Sequence, residues 1–377
     1  MTDDRAAYAC ALAGLPAMGP RRLATLLDQH GPEGAWQVAV EGGARSLRDA
    51  LAPGDAEADV LARTWAAHGT VVDPQATLAR HAAAGVQVLL RDDPAYPDAL
   101  RTDIEPPAVL FVRGDLSCID GPRVAIVGTR RCTGTGAGLA RELGRDLAAT
   151  GVAVVSGLAL GIDGAAHRGV LDQRALQTDA ARPVAVVGSG LDIVYPARHA
   201  DLWATVGEEG LLLSEAPLGV RPEPWRFPAR NRIIAALADV VVVVESHAKG
   251  GSLHTVNEAE RRDRPVLAAP GSVRSPAAEG TNQLLADGCH PVRDSGDVLV
   301  ALGLTPAARR GPVERRRPPD AAGEAVLEAF DWEPATFEHL AVRTGIALVE
   351  LAVAVERLAS DGWVTADGGW YERVTTA

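Results

Sequence analysis

Short apolar runs alternate with longer amphipathic segments from residue 123 onward. The apolar runs are RVAIVG, VAVVSG, PVAVVGSG, LLLSEAP, VVVVES and PVLAAPG. The segments between them carry apolar residues at helical spacing, as in GLARELGRDLAATG and NRIIAALADV. Apolar strands that alternate with helices are typical of βαβ units, whose parallel sheet is buried on both faces. The pattern therefore predicts an α/β fold with a Rossmann-like parallel sheet core.

Other patterns flank this core. Residues 1–72, rich in Ala and Leu, predict a small, separate N-terminal all-α domain. The core domain is expected to span 75–305, because the strand-like runs VQVLL and AVLFV precede its periodic part. Residues 306–320 combine four prolines with a run of arginines, which indicates a linker. Residues 321–377 contain three amphipathic stretches and then WVTADGGWYERV, the order of a C-terminal winged-helix domain.

The net charge and composition of the chain limit the kinds of partner and environment that we expect for it. The net charge of -12 argues against a protein that binds nucleic acid over its whole surface, because phosphates are neutralised by clustered Lys and Arg. Any such contact must be local. No apolar run is long enough to span a bilayer, and the first residues lack the order of a secretory signal. The four cysteines form no C-x-x-C pair, so we expect reduced thiols in the cytoplasm.

Small and polar residues follow each predicted strand of the core. Ligands of open parallel sheets bind outside the carboxyl ends of the strands, where free N–H groups and helix dipoles favour phosphate. Arg130 and Arg131, in the first of these loops, indicate a phosphate partner, with a solvated surface pair as the alternative.

A dinucleotide cofactor is not expected at these strand ends. Gly134, Gly136 and Gly138 have the spacing G-x-G-x-G instead of G-x-G-x-x-G. The second strand ends in Ser156 and Gly157, where a dinucleotide site carries Asp or Glu. We therefore predict no cofactor.

The segment RPEPWRFPARNR, residues 221–232, is locally basic. It holds four arginines against one glutamate, with Trp225 and Phe227 among them. Guanidinium groups pair with phosphates and aromatic rings stack on bases, so this composition suits a single-stranded nucleic acid. The alternative is that both rings fill the core below an irregular loop.

No catalytic constellation emerges from the sequence. His167 and His254 lie in predicted helices without a nucleophile or metal-ligand spacing beside them, so a structural role is expected for both. Asp163 is predicted to be the N-cap of its helix. No metal site is predicted.

Several of these stretches together resemble the DprA family, also called Smf or DNA-protecting protein. In family order, across about residues 88–300, they are VAIVGTRR, VVSGLALGIDGAAHRGVL, VVGSGLDIVYPARH, LLSEAP, FPARNRIIAALAD, VVVVES, GGSLHT, PVLAAPG and EGTNQLLADGC. FP-x-RNRII followed by GSL and GTN-x-LL is the most specific combination among them.

The resemblance implies a homodimer that binds single-stranded DNA, passes it to the RecA recombinase during DNA uptake and recombination, and catalyses no reaction. The DNA-binding residues expected by position are Gly128, Thr129, Arg130, Arg131, Ser156, Gly157, Phe227, Arg230, Asn231, Arg232, Lys249, Gly251, Ser252, Gly280, Thr281 and Asn282.

The chain departs from the family pattern at two places: Leu160 stands where an arginine is usual, and His254 replaces an aliphatic residue. LAGLPAMGPRRLATLL resembles a helix-hairpin-helix element, but Ala17 replaces its first glycine, so a structural role is an equal alternative. The C-terminal stretch LVELAVAVERLASDG has one arginine against three acidic residues, which favours protein contact or packing over DNA reading.

An enzyme of the nucleoside-monophosphate phosphoribohydrolase type is the alternative function. Such enzymes resemble this chain in their Rossmann-like phosphate crevice, and GGSLHTVNE, which ends at Glu258, is a partial match to their PGG-x-GT-x-x-E loop.

Overall fold

Two compact units, residues 1–307 and 308–377, make up the chain. The computed structural model describes residues 4–51, 58–305, 316–330 and 334–374. Residues 306–315 of the predicted linker lie outside this part. No helix within the described residues is long and apolar enough to cross a membrane.

Within the described residues, five helices precede the first strand. They are α1 (Asp4–Ala13), α2 (Pro20–Val40), α3 (Gly43–Ala50), α4 (Ala58–Gly69) and α5 (Pro74–Ala83). Leu12, Leu26 and Trp65 from these helices belong to one buried cluster with Phe111 and Leu212 of the sheet. The helices expected as a separate domain therefore share a core with the sheet and lie within the first compact unit.

A nine-stranded, mostly parallel sheet forms the centre of this unit. Its strands are β1 (Gln87–Leu90), β2 (Val109–Gly114), β3 (Arg123–Val127), β4 (Ala153–Ser156), β5 (Val184–Val187), β6 (Leu211–Ser214), β7 (Val240–Val243), β8 (Val266–Ala268) and β9 (His290–Pro291). Their order is β1-β2-β6-β5-β4-β3-β7-β8-β9. β2 pairs antiparallel with β1 and β6, and the other pairs are parallel. The predicted α/β class with a large Rossmann-like sheet is confirmed.

Helices cover both faces of the sheet, because successive residues of a buried strand point to opposite faces. They are α6 (Asp98–Arg101), α7 (Gly134–Ala149), α8 (Ile162–Leu176), α9 (Ala200–Glu209), α10 (Arg226–Leu237), α11 (Leu253–Glu260), α12 (Glu279–Ala286) and α13 (Ser295–Ala301). Val124 belongs to a buried cluster with residues of α7, α8 and α13 on one face. Its neighbour Ala125 belongs to a second buried cluster with residues of α10, α11 and α12 on the other.

The strand order reverses at β3, which lies between β4 and β7. Because β3 to β9 run parallel, their carboxyl ends lie at one edge of the sheet. We call this edge the rim; its loops are 128–133 after β3, 157–161 after β4, 188–199 after β5, 215–225 after β6 and 244–252 after β7. A switch in strand order is the usual position of a ligand crevice in open α/β sheets.

The second unit has its own small core around Phe330 and Leu351. Its elements are α14 (Ala321–Ala329), β10 (Ala335–Thr336), α15 (Phe337–Thr344), α16 (Leu348–Ser360), β11 (Val364–Asp367) and β12 (Trp370–Arg373). The strands pair antiparallel in the order β10-β12-β11. The predicted hairpin turns at Gly368 and Gly369, whose φ values of 55° and 85° are those of a tight hairpin turn.

Two glycines allow α7 and α8 to approach closely, which predicts a clear effect on stability. A Cβ on Gly144 would lie 2.2 Å from the Ala166 carbonyl oxygen, and one on Gly169 would lie 1.9 Å from that of Arg141. Because backbone must move to relieve either overlap, Gly144→Ala should lower the free energy of unfolding by roughly 1–3 kcal/mol. The midpoint of urea unfolding, followed by circular dichroism, measures the loss.

Gly138 provides the control, since it lies in the same helix with nothing within 4 Å of its Cβ position. Gly138→Ala should be neutral or stabilising by up to about 1 kcal/mol, through helix propensity alone. Equal midpoints for the Gly144 and Gly138 variants would contradict the close approach of the two helices.

Candidate functional site

A pocket opens at the rim beside the first turn of α10. We call it the rim pocket; it has an empty volume of about 420 Å³, counting the part open to solvent. Its walls come from the loops after β3, β4 and β5 and from α10. The lining residues are Arg130, Gly157, Ala159, Leu160, Val187, Gly188, Ser189, Tyr195, Pro196, Phe227 and Arg230.

One cation and two aromatic rings are stacked at this pocket. The Arg130 guanidinium lies 4.9 Å from the centre of the Phe227 ring, and the Tyr195 ring lies 5.3 Å from Phe227 at an interplanar angle of 32°. Arg130 is exposed, and no carboxylate among the described residues forms an ion pair with it. Tyr195 is 41% exposed. The stack therefore offers an open positive charge and an accessible ring edge or face to a ligand.

The second arginine of the pocket, Arg230, is buried, with only 7% of its surface exposed. Its Nη1 donates to the Val186 carbonyl oxygen, and its Nε donates to Asn231 Oδ1 at 3.1 Å. Burial lowers the pKa of Arg230 to about 10, so the side chain remains protonated at neutral pH. A Cβ on Gly157 would lie 2.2 Å from this guanidinium, so only glycine leaves room for it.

Asp163 contacts the loop 157–161 that carries Gly157. The prediction that Asp163 caps α8 is wrong. The N-cap is Gly161, so Asp163 already lies in the first turn of the helix. Its Oδ2 instead accepts the backbone N–H of Gly157 at 3.1 Å. Burial raises the pKa of Asp163, and the positive charge of Arg230 counteracts that rise. Gly157 thus lies between the Asp163 carboxyl and the Arg230 guanidinium.

The Glu245 carboxylate occupies the N-terminus of α7. Thr133 donates to Glu245 through its backbone N–H at 2.9 Å and through its hydroxyl at 2.6 Å. A Cβ on Gly136 would lie 2.3 Å from the Glu245 carboxyl carbon. In a dinucleotide-binding fold, the pyrophosphate lies at this helix end. A negative carboxylate in that position does not fit such a ligand, in line with the unfavourable glycine spacing.

Four of the predicted binding residues meet in the rim pocket: Arg130, Gly157, Phe227 and Arg230. The basic segment reaches it because α10 begins at Arg226. The amphipathic stretch NRIIAALADV begins at Asn231, so the helix starts five residues earlier than that spacing indicates. Pro228 lies in the first turn of the helix, where the missing N–H of a proline costs nothing.

Other predicted residues at the ends of β3 and β4 hold the rim together. The Ser156 hydroxyl donates to the Ile126 carbonyl oxygen at 2.6 Å, which ties β4 to β3. The Thr129 N–H donates to the Glu245 carbonyl oxygen at 2.8 Å. Gly128 packs against Ile162 so closely that a Cβ would lie 2.5 Å from it.

Three further predicted residues at the rim differ in their contacts. Arg131 is exposed. Asn231 Oδ1 accepts a hydrogen bond from Arg230 Nε. Arg232 is occupied by an ion pair with Glu215 and donates to the Glu105 carbonyl oxygen at 2.6 Å.

Six predicted residues form a separate cluster beyond β7. The Gly280 N–H donates to the Ser246 carbonyl oxygen at 2.7 Å, and the Ser252 hydroxyl donates to Ser246 Oγ at 2.9 Å. Asn282 holds Gly271 by two hydrogen bonds, of 3.0 and 3.2 Å. The remaining members are the exposed Lys249 and Gly251 and the buried Thr281. None of the six lines the rim pocket.

Two residues that shape the site, Tyr195 and Asp163, were not predicted to belong to it. Tyr195, whose ring packs against Phe227, lies in the stretch VVGSGLDIVYPARH, and a tyrosine in a loop after a core strand is the signal that could have identified it. Asp163 was assigned a capping role because polar residues before a helix usually cap it. Its contact with Gly157 depends on the turn between β4 and α8, which local sequence does not specify.

The residues considered for catalysis lie elsewhere. His167 is fully buried, and burial lowers its pKa to about 3, which keeps it neutral. His254 is exposed on α11. Glu258 forms ion pairs with Arg261 and Arg262. Within the described residues, no group of three or more His, Cys, Asp or Glu side chains could hold a metal ion.

The buried charge pair predicts a pH-dependent loss of stability. Arg230→Met leaves Asp163 without its compensating charge and should cost roughly 3–5 kcal/mol at neutral pH. An acid whose folded pKa is raised destabilises the fold as pH rises above its ordinary value of 3.8. The deficit of the variant should therefore shrink as the pH is lowered toward about 4. Urea unfolding of wild type and variant at a series of pH values measures this deficit in the free energy of unfolding.

Asp163→Asn in the Arg230→Met background is the matched control. It removes the uncompensated carboxylate, so the double variant should lose less than the sum of the two single variants, and its deficit should not vary with pH. A pH-independent deficit for Arg230→Met alone would contradict the coupling.

Known proteins place this architecture in a family. A model described as DNA recombination-mediator protein A matches residues 87–303. Protein Smf of Synechocystis sp. is 37% identical over 253 residues, which are 66% of this chain and 62% of that protein, so the match spans less than two thirds of the relative.

Two solved structures are similar in fold and sequence. DNA processing protein A from Streptococcus pneumoniae has a TM-score of 0.64 and 29% identity, over 79% of this chain and 97% of that one. DNA processing protein A from Helicobacter pylori, whose structure concerns its single-stranded DNA binding mode, has a TM-score of 0.51 and 30% identity, over 58% of this chain and 95% of that one. With more than half of its length matched by the family model, this chain belongs to the DNA recombination-mediator protein A family.

Proposed function

We propose that this protein binds single-stranded DNA at the rim pocket and catalyses no reaction on it. The observation that carries the proposal is the stack of Arg130, Phe227 and Tyr195 at the mouth of the pocket. A free guanidinium pairs with a phosphate, and an aromatic ring beside it stacks on the adjacent base, which is the combination that binds single strands without reading their sequence.

Charge and shape support the same proposal. The chain carries a net charge of -12, so its affinity for a polyanion depends on a few exposed cations such as Arg130 and Arg131. Arg230 adds a positive charge to the pocket wall, where burial in a medium of low dielectric strengthens its effect on a phosphate. An unpaired base is required, because a base within a duplex cannot present its face to a ring. The related protein of Helicobacter pylori binds single-stranded DNA.

Binding without chemistry agrees with the positions of the ionisable groups. Glu258, the candidate acid of the nucleotide-hydrolase alternative, is paired with Arg261 and Arg262 on α11 and does not line the rim pocket. The assay that separates the two functions is release of free base from nucleoside monophosphates. The proposal expects none, and release that depends on Glu258 would support the enzyme instead.

The partners proposed beyond DNA rest on family membership. We infer that the protein acts in the cytoplasm as a homodimer and passes bound DNA to the RecA recombinase during DNA uptake and recombination. The order helix, strand, two helices and hairpin in residues 321–373 supports a winged-helix interpretation of the second unit. Its α16 exposes Val349 and Val353 and carries more acidic than basic residues, which favours contact with protein over DNA.

Removing the open cation should weaken DNA binding in a salt-dependent way. Arg130→Ala should bind oligothymidylate roughly ten-fold more weakly, equivalent to about 1.4 kcal/mol. It should also reduce the slope of log affinity against log salt by about 0.7, the value for one phosphate contact on a single strand. Fluorescence anisotropy of a labelled oligothymidylate at several salt concentrations measures both quantities.

Arg182→Ala is the matched control, because Arg182 precedes β5 and therefore lies at the opposite edge of the sheet, paired with Asp115. It removes the same charge and should leave affinity and slope unchanged. If wild type prefers duplex DNA, or if Arg130→Ala and Arg182→Ala bind equally, the rim pocket is not the DNA site.

A further inference from the structure

A second, larger cavity lies on the other side of α10. It has an empty volume of about 1860 Å³, counting the part open to solvent, between the turn that joins α1 to α2 and the segment before α10. We call it the helical groove; residues that line it include Pro16, Arg21, Arg221, Trp225, Arg226 and Arg261. No residue lines both the helical groove and the rim pocket.

The balance of charge in the helical groove is positive. Its three lining glutamates are each held by an arginine: Glu105 and Glu258 pair with Arg261, and Glu223 pairs with Arg226. The hydrogen bond from Arg261 lowers the pKa of Glu105, so that carboxylate is ionised and neutralises its partner.

Two further arginines of the groove keep their charge free. Arg21 and Arg221 are exposed, and no carboxylate among the described residues forms an ion pair with either. They are the groups available to an anion. Gly19 supplies no side-chain cap to α2, so the positive end of that helix adds to the same potential.

An aromatic ring accompanies these charges. Trp225 is 44% exposed, an unusual position for so large an apolar side chain. It is held in place by Arg226, whose guanidinium lies 4.3 Å from the ring centre, and by a hydrogen bond of 2.9 Å from its Nε1 to Glu223. A fixed and half-exposed ring beside free guanidinium groups repeats the chemistry of the rim pocket.

The first turn of α10 separates the two cavities. Phe227 and Arg230 line the rim pocket, whereas Trp225, Arg226 and Ala229 line the helical groove. Phe227 and Trp225, two residues apart in sequence, therefore present their rings to the rim pocket and to the helical groove, respectively. The two cavities therefore adjoin at this turn of α10.

We propose that the helical groove is a second subsite for the same single strand, binding the nucleotides next to those in the rim pocket. The phosphates contact Arg21 and Arg221, and a base stacks on Trp225. This inference rests on the proposed function of the rim pocket. It predicts that affinity grows with strand length until both subsites are filled.

The test compares oligothymidylates of about 4 and about 16 nucleotides, the ends of the usual range of site sizes for such proteins. Wild type should bind the long strand more tightly and with a steeper salt dependence than the short one. Arg21→Ala with Arg221→Ala should reduce the slope for the long strand by about 1.4, two contacts of about 0.7 each. Trp225→Ala should weaken the long strand about five-fold or more. Neither variant should affect the short strand.

Arg63→Ala with Arg182→Ala removes the same charge outside both cavities and should leave both strands unaffected. If wild type fails to bind the short strand, the rim-pocket function itself is wrong. If it binds the short strand, the groove proposal is overturned when the Arg21 and Arg221 variant keeps the wild-type affinity and slope for the long strand. Weakened binding of the short strand by that variant also overturns it, because the subsites would not be separate.

Discussion

The candidate site depends on a buried carboxyl, Asp163, and a buried guanidinium, Arg230, that both lie against Gly157. Asp163 accepts the N–H of Gly157 from one side, and the Arg230 guanidinium lies against Gly157 from the other. Either charge alone would be costly at this depth, since an ion removed from water needs a partner and hydrogen bonds to compensate for lost hydration. Together they fix the loop after β4 to the first turn of α10, and the rim pocket is the space above that junction.

Arginines in this protein consequently serve two purposes. Arg230 is buried and bonds α10 to Val186 of β5, and Arg232 pairs with Glu215 in the loop after β6. Arg130 and Arg131 lie in the open at the end of β3. An acidic chain can hold a polyanion only where such free cations collect, because the remaining surface repels phosphate. The same distinction separates the paired Arg261 from the free Arg221 in the helical groove.

Periodicity in the sequence predicted the sheet and its helices because apolar runs of strand length and helical spacing are local properties. Which loops turn toward one another is a tertiary property, and there the predictions were incomplete. Arg130, Phe227 and Arg230 meet as expected from their strand ends and motif. The residues from Lys249 to Asn282 collect in a different place, because β7 and β8 lie on the far side of β3 from the pocket.

Some features had no local signal at all. The N-terminal helices share a core with β2 and β6, although their sequence alone reads as an independent helical domain. The helical groove exists only because the turn around Pro16 is brought opposite Trp225 by that packing. Residues so distant in the chain cannot be paired from one sequence.

Hydrogen exchange of the full chain with and without saturating oligothymidylate tests the central claim most directly, since it locates the strand without any substitution. The account predicts slower exchange in the loops 128–131, 157–161 and 188–199 and in the first turn of α10, with residues 316–374 unchanged. Protection confined to residues 316–374, or absent from the rim loops while DNA is bound, would contradict it.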